Sequence, residues 1–126
     1  MDPSAWSAVT IPVEGTHVVV VNDAHGEARQ ESNLHHEAAH LLCGHKPADM
    51  KVLGGFAFRV FDETAEAEAA WLGGCLHLPR AALLQALRRG HDEPSIGERF
   101  VASAEMVRWR RSMTGVDRQL RQPRPS

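Results

Sequence analysis

The chain has 126 residues, 43% hydrophobic and 24% charged, which suits one globular domain with an ordinary core and argues against wholesale disorder. No stretch approaches the roughly 20 apolar residues of a membrane span, Met1-Asp2-Pro3-Ser4 lacks the character of an export signal, and two cysteines do not make a disulfide framework. A cytoplasmic protein with reduced thiols is therefore expected.

The net charge of -2 is unevenly spread: residues 1–98 carry seven Lys/Arg against fourteen Asp/Glu, and residues 99–126 carry seven Arg against Glu105 and Asp117. Such a basic end suits a solvated helix and tail better than a nucleic-acid surface, although Arg108, Arg110 and Arg111 are placed to meet phosphates if it is one.

In chain order, the β-branched run Thr16–Asn22 reads as a buried strand and Asn22–Gly26 as a loop. Ser32 or Asn33 is expected to cap a helix carrying His36 and Glu37 in its first turns. Leu34, Ala38, Leu41 and Leu42 form its apolar stripe, and Gly44 and Pro47 end it. Alternation from Val52 to Phe61 predicts a strand entered through Gly54-Gly55. Asp62 or Thr64 then caps a helix to about Leu76, with Ala65, Ala69, Leu72 and Leu76 inward. Three shorter helices follow, over Pro79–Arg89, Asp92–Phe100 and Ser103–Met113. The expected fold is α+β: a single domain over 1–126, with a small sheet packed against helices, a core spanning about 16–116, and 117–126 as a tail, frayed from Gln122.

His36-Glu37-Ala38-Ala39-His40 carries the chemistry. Residues four apart on a helix share a face, so the two imidazoles can hold one metal at the roughly 2.0–2.1 Å that zinc takes. Glu37 lies about 100° round the helix, aside from the ligand pair, and is placed to act as a base toward water activated by the metal. A chain of this composition contains such a motif by chance about 0.04 times, so coincidence is a poor explanation.

A catalytic zinc takes three protein ligands and leaves one position open. The extended pattern with a third histidine fails, because Lys46 stands at that position. The remaining type draws a carboxylate from a second helix, where Glu66 and Glu68 are the obvious donors and Glu63 a weaker one. Periodicity does not choose between Glu66 and Glu68, which flank the Ala65–Ala69 side.

The segment His36-Glu37-Ala38-Ala39-His40-Leu41-Leu42-Cys43-Gly44-His45, followed by Glu66-Ala67-Glu68-Ala69-Ala70-Trp71-Leu72 and Leu76-His77-Leu78-Pro79, resembles the ImmA/IrrE metallopeptidases. The likeness covers roughly residues 16–116 and is most specific in its first half. It implies a minimal zincin-like domain, with zinc held by His36, His40 and Glu66 and with Glu37 as the catalytic residue. Glu68 falls at a variable place beside the ligand and is the alternative third ligand. It further implies an endopeptidase whose protein substrate is a helix-turn-helix transcriptional repressor, cut to derepress stress or mobile-element genes. The chain departs from the family pattern at Ala70, where Asn or Asp is usual and a partner of the ligand is lost, and at Gly73-Gly74, which should loosen the helix. A competing reading is a non-catalytic module that holds zinc or DNA and blocks a repressor by contact.

Peptide hydrolysis needs a group to stabilise the developing oxyanion, and the chain has no tyrosine. His77 and Arg59 are the leading candidates for contact with substrate or transition state, beside His45, His91 and Arg80. Cys43 reads as a buried, inert thiol, and His35 as a surface or capping residue.

Overall fold

The structure is a computed structural model that describes residues 6–53 and 56–122, without the side chains of 53 and 56–58. The expected entry into a strand through Gly54-Gly55 lies outside the described residues, as does most of the tail from Gln122.

The described residues open with a hairpin whose first strand the sequence reading did not anticipate. β1 (Ala8–Val13) pairs antiparallel with β2 (Thr16–Val21), Ala8 opposite Val21 and Val13 opposite Thr16. Glu14 and Gly15 turn it, both at positive φ (47° and 79°), as tight hairpin turns demand. In β1, Val9 and Thr10 are both buried, one on each face of the strand. In β2, Val18 and Val20 are 44% and 37% exposed, which corrects the expectation of a buried strand. A β-branched run signals extended backbone, but it does not say which face another element will cover.

Helix α1 (Glu27–Cys43) starts at Gly26 without a side-chain cap. Ser32 and Asn33 therefore lie inside it, and His36 and Glu37 sit near its third turn, later than expected. Gly44 ends it in the left-handed conformation (φ 66°), as anticipated. The expected apolar stripe is not buried: Leu34 and Leu42 are exposed, while Ala39 and His40 are the buried residues.

The expected strand over Val52–Phe61 is instead a second hairpin, β3 (Asp49–Leu53) with β4 (Phe56–Val60), Asp49 opposite Val60. Helix α2 (Glu63–His77) is capped by Asp62, whose carboxylate accepts from the Ala65 N–H at 2.8 Å. Its buried seam is Ala65, Ala69, Gly73, Gly74 and His77. A Cβ on Gly73 would lie 3.2 Å from the His36 Cα, and one on Gly74 would lie 2.5 Å from the Trp109 ring. The two glycines therefore permit close approach, to α1 and to the C-terminal helices, whatever helix propensity they sacrifice.

Helices α3 (Arg80–Arg88), α4 (Glu93–Phe100) and α5 (Ala104–Thr114) match the expected elements closely. Asp92 and Ser103 cap α4 and α5, accepting from the N–H groups of Ser95 and Met106. A sixth helix, α6 (Val116–Leu120), stands where a tail was expected. Val116 is fully buried with Leu78, Leu83, Ile96 and Val107 in the main core, and Leu120 packs against it. The α+β class holds, with two separate hairpins serving as its β layer. Among the described residues no helix is long and apolar enough to cross a membrane.

Candidate metal centre

Close packing of α1 on α2 brings a carboxylate to the histidine pair. His36 Nε2 lies 3.0 Å from Glu66 Oε2, and His40 Nε2 lies 3.0 Å from Glu66 Oε1. One ligating atom from each of the three falls within 4.8 Å of the others. A tetrahedral zinc site needs ligand atoms roughly 3.3 Å apart, close to these spacings. His40 Nε2 is buried yet makes no hydrogen bond, despite its nearness to Glu66. An orphaned buried nitrogen is costly unless something fills its lone pair. The donor set and this orphan both fit a divalent metal.

The three groups differ in access. The His40 side chain is 3% exposed, His36 29% and Glu66 48%. Phe61 stacks on the His40 ring with centroids 3.8 Å apart and fixes its plane. Burial depresses the His40 pKa from 6.5, with the Glu66 carboxylate opposing. A neutral imidazole, the form that binds metal, is thus favoured.

Glu37 shares a cavity with His36 and Glu66. Thr10 of β1 donates from Oγ1 to Glu37 Oε2 at 2.8 Å. Burial raises the Glu37 pKa from 4.5, against the lowering effects of the Thr10 hydrogen bond and of His36. A carboxylate raised in this way is a better proton acceptor near neutrality. Glu37 and Arg59 together line two adjoining cavities, of about 180 Å³ on the His40 side and about 310 Å³ on the His36 and Glu66 side.

The remaining candidates separate clearly. Arg59 is at the cleft. His77 lies away from it: its ring is buried, stacks on His35, and lies within hydrogen-bond reach of the Phe100 and Val101 carbonyls at 3.1 and 3.0 Å. It stands eleven residues beyond Glu66, about 16 Å along α2. His35 is half-buried, its Nδ1 2.7 Å from the Glu31 carbonyl. Arg80 and His91 are occupied elsewhere, with Thr114 and Gln119 and with Arg99 respectively. Glu68 contacts neither His36 nor His40; its Oε2 lies 3.2 Å from His45 Nε2. Cys43 is exposed rather than buried, near His45 and Glu68 in a second cluster of potential ligands. Sequence reasoning missed Thr10 and Phe61: β1 went unrecognised, and nothing in the sequence marks which aromatic will cover a ligand. At the basic end, Arg110 is buried and donates to the Leu78 carbonyl, while Arg111 pairs with Asp117 and Glu93. Of the three arginines considered for phosphate contact, only Arg108 stays exposed.

Two histidines and a carboxylate on facing helices, with a second carboxylate beside a cleft, are the groups that metal-dependent hydrolases use. Residues 3–112 match the IrrE N-terminal-like domain, a peptidase family, and the chain belongs to that family. No curated protein and no solved structure matches it.

Proposed function

We propose that this peptidase is a zinc-dependent endopeptidase acting on a protein, in which His36, His40 and Glu66 hold the metal and Glu37 carries the proton. The observation that supports it best is the convergence of Glu66 on both histidines at 3.0 Å, beside the hydrogen-bonded Glu37. When bound, zinc supplies Lewis acidity, polarising a carbonyl and acidifying water.

The chain's own groups do the rest. Thr10 holds one Glu37 oxygen, and the other serves as proton acceptor. Glu37 then returns that proton to the leaving amine as the peptide bond breaks. Arg59, at the cleft wall, places positive charge where a peptide carbonyl develops negative charge. The proposed substrate is a helix-turn-helix repressor in the same cytoplasm, in line with the resemblance noted in the sequence.

The test is to incubate the purified chain with such a regulator encoded beside its gene, and to measure zinc by elemental analysis. The expected result is about one zinc per chain and a discrete cleavage. Glu37→Gln should keep the zinc and lose 10²-fold or more of the rate, about the scale of a general base. His36→Ala should lose both. Unchanged cleavage by Glu37→Gln would overturn the catalytic assignment, and binding of the regulator without any cleavage would favour a contact inhibitor.

A further inference from the structure

Behind the ligand trio, the other ring nitrogen of His40 is engaged as well. His40 Nδ1 lies 2.9 Å from His45 Nδ1, and His45 Nε2 lies 3.2 Å from Glu68 Oε2. Two ring nitrogens in hydrogen-bond contact share one proton, since two lone pairs or two N–H groups face to face repel. Either His40 or His45 can be its donor, and Glu68 decides which: its contact has hydrogen-bond geometry, whereas the 3.0 Å approach of His40 Nε2 to Glu66 Oε1 does not. An ionised carboxylate only accepts, so the contact to Glu68 requires a proton on His45 Nε2. A neutral imidazole has one N–H, so His45 Nδ1 holds a lone pair and accepts. His40 Nδ1 is then the donor, and His40 Nε2, beside Glu66 but not hydrogen-bonded to it, keeps its lone pair. That is the buried atom with no hydrogen bond, an observation independent of the distances behind it.

We propose that His45 and Glu68 are positioning residues that lock His40 in the tautomer a metal requires, through a carboxylate–imidazole–imidazole chain. The proposal rests on the zinc reading above. Its parts differ in exposure in the order the role demands: the His45 side chain is 12% exposed and Glu68 59%, so the chain ends on a solvated charge rather than a buried one. The same proton count settles the neighbouring cluster. Cys43, His45 and Glu68 are close enough to suggest a second metal, but with His40 ligated the His45 Nε2 carries a proton and offers no lone pair. Occupancy of the first site therefore excludes His45 from the second.

The experiment uses the full chain labelled with ¹⁵N. Long-range proton–nitrogen correlation, first without metal and then with zinc, reads the tautomer of each ring. The expected result in both states is His40 as Nδ1–H and His45 as Nε2–H. Chelator competition should then show His45→Ala weakening zinc binding about 10-fold or more, the scale of a lost supporting partner, and Glu68→Ala weakening it several-fold. His45→Gln, whose amide can accept from His40 and donate to Glu68, should restore most of the loss. Cys43→Ser should bind zinc within twofold of the parent. A His45 found as Nδ1–H, an unchanged affinity in His45→Ala, or a zinc loss in Cys43→Ser each overturns the proposal. Zinc retained by His36→Ala would instead sink the zinc reading while the tautomers measured without metal still judge the lock.

Discussion

The two halves of the molecule are held together by different means. From Leu78 onward the helices enclose a dry core, in which Leu78, Leu83, Ile96, Val107 and Val116 are completely buried. The half that carries the site has no counterpart: its buried hydrophobics among the described residues are Val9, Ala39, Ala65 and Ala69, all small. It relies on close helix contact, a hairpin that buries Val9 and Thr10, and polar side chains in contact with one another. Large apolar side chains would stabilise that half more, but they would fill the cleft. Site and core have been divided between the two ends of α2, which joins them.

Metal removal should sharpen that contrast most. With zinc a thousandfold above its Kd, the bound form should gain about 4 kcal/mol, seen as a rise in Tm. Stripping the metal should raise amide exchange in β1, β2 and α1 while α3 and α5 stay protected. Equal loss of protection in both halves would break the comparison. Next in size, Leu83→Ala should cost about 3 kcal/mol through cavity formation. Denaturant unfolding measures it, and zinc affinity in the folded variant should stay within twofold. Gly74→Ala, which presses a methyl group onto Trp109, should cost about 2 kcal/mol as an overpacked contact, and thermal unfolding reads it.

The smallest effect has an unusual sign. The folded-state pKa of Glu37 is raised above 4.5, so its protonated form is the one folding favours. That contribution is full below about 4.5 and is lost as pH rises through the folded pKa. At pH 7 the ionised carboxylate therefore costs the metal-free protein stability, and Glu37→Gln should raise its Tm slightly. The gain should vanish below about pH 4.5, where the parent is itself protonated; a gain that persists there would refute burial of charge as its cause.

What could be read in the sequence followed from local repetition. The pair His36 and His40 is legible because helical spacing puts both on one face, and α3, α4 and α5 are legible because Asp92, Ser103 and Gly90 punctuate them. β1 was not, since Pro12 breaks its alternation and its register is set by a partner strand. Glu66 and Glu68 flank the same buried seam, so which one meets the histidines is decided by the packing of α2 on α1, which no periodicity records. His45 was noticed for its ring, but its contact with His40 was not legible, because it follows from the turn at Gly44. The same holds for His77, whose partners Phe100 and Val101 lie beyond two further elements.

The close contact at Gly73 also bears on which ions can enter. Gly73 is seven residues from Glu66, about 10 Å along a rigid helix, and a Cβ there would sit 3.2 Å from the His36 backbone. The bite between Glu66 and the histidines is therefore gauged at a point remote from any ligand atom. Bonds of roughly 2.0–2.1 Å suit zinc, whereas calcium asks for about 2.3–2.6 Å and more oxygens. To admit the larger ion, α2 would have to swing outward and give up the packing that the glycine permits. On the proposed zinc reading, the missing side chain at Gly73 would thus favour the smaller ion.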